Sequence, residues 1–120
     1  MAQIVVLLEK DPGLAQSLAG GLHPHFSVHL TGSQEQLLDN VARNRPGAVV
    51  LNLEHSFISV VEQLHQEFPH LPIVCTHRVP DEEMWMAALA AGAADVCPAD
   101  DVNNVLGSLL RSTGVARAAA

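Results

Sequence analysis

Five short apolar runs alternate with helix-like segments along the 120 residues, and this alternation constrains the fold more than any other feature. The first run, Ile4–Leu8, is rich in β-branched residues and lacks polar alternation, which is typical of a central strand covered on both faces. The run Phe26–Leu30 does alternate and indicates a half-exposed edge strand. We predict the five strands at residues 4–8, 26–30, 48–51, 73–76 and 94–97.

Helix signals occupy the segments that follow these runs. Asp11 can cap a helix that begins at Pro12, and Ser33-Gln34-Glu35-Gln36 is typical of a capping box. Further helices are expected at residues 58–68, from 81–83 to Gly92, and after Asp100 and Asp101. Because crossover connections are right-handed, few topologies remain. The sequence predicts an α/β fold with a doubly wound, five-stranded parallel sheet in the flavodoxin-like order 2-1-3-4-5.

One domain accounts for this pattern over residues 1–113, and an Ala-rich tail or the start of a linker is expected at 114–120. Thirteen acidic against six basic residues give a formal charge of −7, which argues against direct binding of nucleic acid. The longest apolar runs are far shorter than the roughly 20 residues that span a bilayer, and the N-terminus does not resemble a signal peptide. We therefore expect a cytoplasmic domain without membrane contact.

A parallel sheet of this order binds ligands beyond the carboxyl ends of its strands, in the crevice between the first and third strands. Several polar residues leave those strand ends, and we expect them to converge there. They are Glu9, Lys10 and Asp11, then Asn52 and Glu54, then Thr76 and His77; Pro98 and Ala99 leave the fifth strand. The crevice is therefore the predicted site.

Four segments resemble the receiver domain of two-component response regulators in order and spacing: Ile4–Pro12, Pro46–Asn52, Leu71–Val74 and Ala91–Val96. The resemblance covers residues 3 to about 112 and implies a CheY-like (βα)5 fold and a place in bacterial phosphorelay signalling. In that family an Asp at the end of the third strand takes a phosphoryl group from a kinase phosphohistidine. A magnesium ion, held partly by an acidic pair after the first strand, shields the charge.

The positions that match these reactive residues are largely replaced. Asn52 stands where the phospho-accepting Asp belongs, and a carboxamide is not a useful nucleophile. Glu9 keeps one acidic position, but Lys10 replaces the principal magnesium ligand and has no lone pair for a hard cation. Ala99 replaces the lysine that clamps the phosphoryl oxygens. We expect a pseudo-receiver that is not an enzyme, is not phosphorylated, needs no cofactor and has lost normal magnesium binding.

The switch positions that the resemblance implies also differ. Ungapped alignment places His77 at the switch Thr or Ser, with Thr76 one residue away, and Val96 at a position often filled by an aromatic residue. Two interpretations of Lys10 stay open. Either Lys10 takes over the charge of the metal and hydrogen-bonds to Glu9 or the Asn52 carbonyl, or it points into solvent.

A surface for protein partners is expected on the fourth helix. Three-residue spacing places Met86 and Leu89 inward and leaves Trp85 sideways or outward beside Met84. The resemblance implies that the fourth helix, fifth strand and fifth helix form a face for a histidine kinase, an output domain or a second copy in a homodimer. The alternative is that Trp85 covers the core at the helix edge.

Two rival functions stay open. An active receiver would use a non-standard carboxylate, Asp11 or Glu54, whereas a small-ligand sensor would bind in the same crevice without a glycine-rich phosphate loop. The seven histidines show no metal-ligand spacing. Cys75 and Cys97 fall on neighbouring predicted strands, so their thiols could be close, but two small buried hydrophobic residues are favoured over a redox pair.

Overall fold

The computed structural model describes residues 3–54 and 58–114, which form five strands and five helices. The strands are β1 (Ile4–Leu8), β2 (Ser27–Thr31), β3 (Ala48–Asn52), β4 (Ile73–His77) and β5 (Asp95–Pro98). The helices are α1 (Pro12–Leu22), α2 (Gln34–Asn44), α3 (Ile58–Glu67), α4 (Glu82–Ala91) and α5 (Val102–Thr113). Within these ranges, no helix has the length and apolar character needed to cross a bilayer. The predicted tail beyond Gly114 lies outside the described residues.

The sheet has the predicted topology. All five strands run parallel in the order β2-β1-β3-β4-β5, which confirms the expected doubly wound arrangement. The chain proceeds to one side of β1 through β2 and to the other side through β3. The carboxyl ends of β1 and β3 therefore flank the switch point, where this class of sheet leaves a crevice.

Alternate residues of the central strands belong to two separate cores, one on each face of the sheet. Val6 and Leu8 of β1 pack on the face covered by α2, α3 and α4, whereas Val5 and Leu7 pack on the face covered by α1 and α5. All residues of β3 are buried. This burial on both sides explains why the apolar runs show no polar alternation.

The edge strand β2 is only half buried, as its alternating sequence predicts. Among the described strands it pairs only with β1, and its Leu30 side chain is exposed. A side chain ties this edge to its neighbour, because the Thr31 hydroxyl donates to the Leu7 carbonyl at 3.0 Å. The strand begins and ends one residue later than the sequence pattern indicates.

Aspartate side chains cap three helices, and two of these caps, Asp11 and Asp101, are predicted from the sequence. Asp11 Oδ1 accepts from the backbone N–H groups of Gly13 and Leu14 at 2.9 and 3.1 Å and so fixes the start of α1. Asp81 caps α4 and Asp101 caps α5 in the same way. The α1 cap matters for the site, because Asp11 lies at the carboxyl end of β1.

The outer face of α4 differs from the sequence prediction. The spacing places Met86 and Leu89 inward, but both side chains are exposed, and Ala88 and Ala91 are the buried residues of this helix. The small alanine side chains let α4 pack closely against α3 and β5, which leaves the larger side chains outside. Trp85 is exposed, as predicted.

The two cysteines are free and buried, as the favoured interpretation predicts. Cys75 lies opposite Val96 and Cys97 lies opposite Thr76, so the register of β4 and β5 offsets the cysteines by one residue. Their thiols therefore belong to the two different cores and face opposite sides of the sheet. Burial raises the pKa of Cys75 to about 12 and also raises that of Cys97, which keeps both thiols protonated.

Two glycines allow a matched test of where the backbone requires glycine. Gly92 ends α4 with a left-handed φ of 116°, and a Cβ there would collide with the His65 side chain. We expect Gly92→Ala to lower the free energy of unfolding by about 1–3 kcal/mol. Gly20 lies within α1 with open space around it, so Gly20→Ala should raise that free energy by up to about 1 kcal/mol. Urea denaturation measures both changes, and wild-type stability in Gly92→Ala would contradict the prediction.

Candidate functional site

Three buried polar side chains meet at the carboxyl ends of β1, β3 and β4, where the sequence predicts the crevice. Asn52 ends β3 and is 1% exposed, and Glu9 directly follows β1 and is 6% exposed. Thr76 is fully buried and lies opposite Asn52 in the register of β3 and β4. Strand alternation places Asn52 and Thr76 on the α1 and α5 side of the sheet, because Val50 and Val74 belong to that core.

Hydrogen bonds hold the Asn52 side chain at both ends of its amide. Nδ2 donates to Glu9 Oε1 at 2.6 Å, and Oδ1 accepts from the Glu54 backbone N–H at 2.7 Å. The other Glu9 oxygen, Oε2, accepts from the Asp11 backbone N–H at 3.1 Å. A buried carboxylate needs donors around it, and the Asn52 amide supplies one.

An aspartate at position 52 would bring a second acceptor to Glu9 and no donor. Two carboxylates at hydrogen-bond distance cannot both ionise without a counter-charge, so burial and repulsion would raise one of their pKa values. The contacts around position 52 therefore suit an amide and do not suit a second carboxylate.

Lys10 does not make the contacts that one interpretation predicts. Its side chain is exposed and forms no hydrogen bond or ion pair with the residues that the structure describes. The Asn52 carbonyl instead accepts from Glu54, and the Asn52 amide itself reaches Glu9. The structure agrees with the alternative interpretation, in which Lys10 points into solvent.

Arg78 is the cation that reaches the crevice, and the sequence analysis did not select it. Its backbone N–H donates to Glu54 Oε1 at 2.7 Å. Its guanidinium donates to Asp11 Oδ2 at 3.3 Å and has Nε 3.9 Å from Glu54 Oε2. The available signal was its position, because Arg78 directly follows β4 at the edge where the acidic residues converge.

These contacts form a closed ring of five residues, which we call the crevice ring: Glu9, Asp11, Asn52, Glu54 and Arg78. Each member bonds to two others, and the ring joins the connections that follow β1, β3 and β4. Hydrogen bonds from the Leu14 and Gly13 N–H groups, together with the Arg78 guanidinium, hold the pKa of Asp11 below its usual value although burial opposes the shift. Asp11 therefore enters the ring as a carboxylate at neutral pH.

The three predicted switch positions lie in different surroundings. The Thr76 hydroxyl has no hydrogen-bond partner among the described residues, although it lies next to Asn52. His77 is half buried, and its Nδ1 accepts from the Val79 N–H at 3.1 Å. Val96 is buried in the core beneath α4 and lines a small cleft with Trp85. Of these residues, Thr76 is the one that the sheet register sets directly beside Asn52.

Ala99 leaves open space where the resemblance places a clamping lysine. Ala99 is buried, and its N–H donates to the His77 carbonyl at 2.9 Å. Beside it lies a cleft of about 550 Å³ between α1, Arg78 and the start of α5, lined by Asp11, Gly13, Leu14, Ser17, Arg78, Ala99 and Asp100. Among the described residues that line this cleft, Arg78 is the basic one, and it is paired with Asp11.

Comparisons with known proteins agree on the architecture. No protein-family model matches the sequence, and no curated protein matches it. Among solved structures, a response regulator from Thermotoga maritima is similar, with TM-score 0.87 and 13% identity over 95% of this chain and 99% of that one. A response regulator receiver domain protein from Clostridium thermocellum has TM-score 0.85 and 12% identity, with complete coverage of both chains. This chain has the receiver-domain fold.

A third similar structure is the signal receiver domain of an HD domain-containing protein from Pseudomonas fluorescens Pf-5. It has TM-score 0.84 and 16% identity over 98% of this chain and 99% of that one. The TM-scores of these three structures establish the receiver fold, and at such low identities they say nothing about the chemistry of the crevice. The site must therefore be interpreted from the residues of this chain.

The magnesium site that the receiver fold implies does not match the residues present. A magnesium ion requires near-octahedral oxygen ligands. Here the Arg78 guanidinium lies against Asp11 and Glu54, and Glu9 is bonded to the Asn52 amide. In the described part of the chain, no three His, Cys, Asp or Glu side chains form a group that could hold a metal ion. The carboxylates of Asp11 and Glu54 thus have a guanidinium as their neighbour in this structure.

An apolar strip on α4 is the second notable feature of this receiver fold. Trp85, Met86 and Leu89 are 45, 61 and 37% exposed, and their helical spacing brings them to one side of the helix. Met84, which the sequence analysis paired with Trp85, is half buried and lies outside this strip. We call Trp85, Met86 and Leu89 the α4 strip.

The Glu9–Asn52 hydrogen bond predicts that the effect of Asn52→Asp on stability depends on pH. Asn52→Asp removes the donor and adds a buried charge, so we expect the free energy of unfolding to fall by about 1–3 kcal/mol at neutral pH. Because the folded-state pKa of the new pair is raised, this loss should vanish as the pH falls below the unfolded value of about 4. Denaturation curves at several pH values measure the difference from wild type.

Asn40→Asp is the matched control, because it adds the same charge at an exposed acceptor on α2. Its stability should stay close to wild type at every pH. A similar loss in both variants, or a loss in Asn52→Asp that persists at low pH, would contradict the prediction.

Proposed function

We propose that this chain is a receiver-like module of two-component phosphorelay signalling that is not phosphorylated and acts through protein contacts. The observation that carries the proposal is the buried hydrogen bond between Asn52 and Glu9 at the end of β3. By the receiver resemblance, Asn52 corresponds to the phosphoryl acceptor, and its side chain is a neutral amide. The module is proposed as a binding protein and not as an enzyme.

Three properties of the crevice support the absence of phosphotransfer. The Asn52 amide has no nucleophilic oxygen of the carboxylate type. Phosphoryl transfer depends on cations that neutralise the developing charge, and Ala99 provides none at the lysine position. The remaining cation, Arg78, is already paired with Asp11 and Glu54. Loss of magnesium binding is part of the same proposal.

The α4 strip supports the protein-contact part of the proposal. Aromatic and methionine side chains are enriched at protein interfaces, and Trp85 and Met86 present both types on one helix. Acidic residues at the start of α4, Glu82 and Glu83, give the strip a polar border. The partner proposed first is a second copy of the chain; a histidine kinase or an output domain would use the same face with β5 and α5.

The cleft beside Ala99 supports a second candidate, a small-ligand sensor. Its volume of about 550 Å³ falls in the range of small-molecule sites. Arg78 and Asp100 at its lining would select a polar ligand. A thermal-shift assay with nucleotides tests this candidate, and an unchanged melting temperature would count against it.

The proposal predicts no phosphorylation by a small phosphodonor. Incubation with acetyl phosphate and magnesium should leave the intact mass of the chain unchanged. The rival function, an active receiver that uses Asp11 or Glu54, predicts a phosphoryl adduct that disappears in Asp11→Asn or Glu54→Gln. Such an adduct in the wild-type chain would overturn the proposal, and the receiver domain of a phosphorylatable response regulator serves as positive control.

If a second copy binds the α4 strip, the chain should self-associate as its concentration rises. If Trp85 anchors a dimer, Trp85→Ala should raise the dimer dissociation constant by at least about thirtyfold, which corresponds to a hot-spot loss of about 2 kcal/mol. Leu30→Ala is the matched control, because Leu30 is also exposed and apolar but lies on β2, at the edge of the sheet opposite β5. Sedimentation equilibrium measures both. A dimer that persists unchanged in Trp85→Ala would contradict the role of Trp85 as its anchor. A wild-type chain that stays monomeric would contradict the proposed self-association.

A further inference from the structure

We infer that Arg78 is an internal substitute for the divalent cation of the receiver fold, and that it excludes metal from the crevice while joining three connections. The inference rests on the proposed function, because it takes the crevice to be a site without phosphotransfer. It goes further by assigning to one residue the charge role that a metal ion has in the fold family.

The arrangement of charge supports this role. Three carboxylates, those of Glu9, Asp11 and Glu54, lie at the carboxyl ends of β1 and β3. Glu9 is partnered by the Asn52 amide and the Asp11 N–H. Asp11 and Glu54 receive the Arg78 guanidinium at 3.3 and 3.9 Å. A divalent cation that approached these two carboxylates would have to displace a cation that belongs to the chain.

The chemistry of arginine suits the position better than that of lysine. A guanidinium stays charged at all relevant pH values and presents several N–H donors in a fixed plane, so it can contact two carboxylates at once. Its side chain is 64% exposed, so water can hydrate the remaining N–H groups. Lys10 carries the same charge but makes no contact with the described residues, so it cannot perform this role from where it lies.

The backbone of Arg78 adds a positional role. Its N–H donates to Glu54 Oε1, which fixes the connection after β4 against the connection after β3. The guanidinium then ties both to Asp11, the cap of α1. Only three residues separate Arg78 from Glu82, where α4 begins, so the crevice ring also fixes the chain that leads to the α4 strip.

The test is an NMR titration with Mn²⁺, whose paramagnetism broadens the amide signals of nearby residues. In the wild-type chain we expect no saturable broadening at Asp11 and Glu54. Arg78→Gln removes the internal charge, and we expect Mn²⁺ to bind at least about tenfold more tightly, with saturable broadening at those two residues. Arg78→Lys retains the charge but not the planar set of donors, so it should bind Mn²⁺ more weakly than Arg78→Gln.

Arg43→Gln is the matched control, because Arg43 forms an exposed ion pair with Asp39 on α2, away from the crevice. It should leave Mn²⁺ binding unchanged, and the dispersion of each amide spectrum reports whether the variant is folded. Saturable Mn²⁺ binding by the wild-type chain at Asp11 and Glu54 would overturn the inference. Equal binding by Arg78→Gln and Arg43→Gln would overturn it as well.

The two proposals fail separately. A phosphoryl adduct on the wild-type chain would overturn the proposed function whatever the Mn²⁺ result. Unaltered Mn²⁺ binding in Arg78→Gln, with no adduct, would remove the role of Arg78 and leave the pseudo-receiver intact.

Discussion

The hydrogen bond between Glu9 and Asn52 is the interaction on which the rest of the crevice depends. A carboxylate buried between two parallel strands is costly unless donors surround it. The Asn52 amide supplies one donor and the Asp11 backbone supplies another, so the chain must leave β1 and β3 along paths that present both. The Asn52 carbonyl accepts the next hydrogen bond, from the Glu54 N–H. The Glu54 carboxylate in turn accepts from the Arg78 N–H and so positions Arg78.

The crevice ring joins three connections of this receiver fold through hydrogen bonds between residues of the chain itself. Hydrogen bonds in such a closed series polarise one another. Because the ion pairs of Arg78 lie at the surface, they determine geometry more than they add stability.

The fold was predictable from the sequence, and the site only in part, for physical reasons that differ by residue. The apolar runs at β1 and β3 and the caps Asp11 and Asp101 are local signals, so they indicate these elements without knowledge of the rest of the chain. Lys10 was a misleading candidate because adjacent residues at a strand end point to opposite sides, and Glu9 takes the inward side. Arg78 was missed because its partners are distant in sequence. On α4, helical spacing could not show that the alanines and not the large side chains face the sheet.

The two carboxylate oxygens of Asp11 have separate partners. Oδ1 binds the first N–H groups of α1, while Oδ2 faces the Arg78 guanidinium. One small side chain thus joins the start of a helix to a connection 67 residues further along the chain. Movement of the segment after β4 would therefore change the contacts of Asp11, the residue that caps α1.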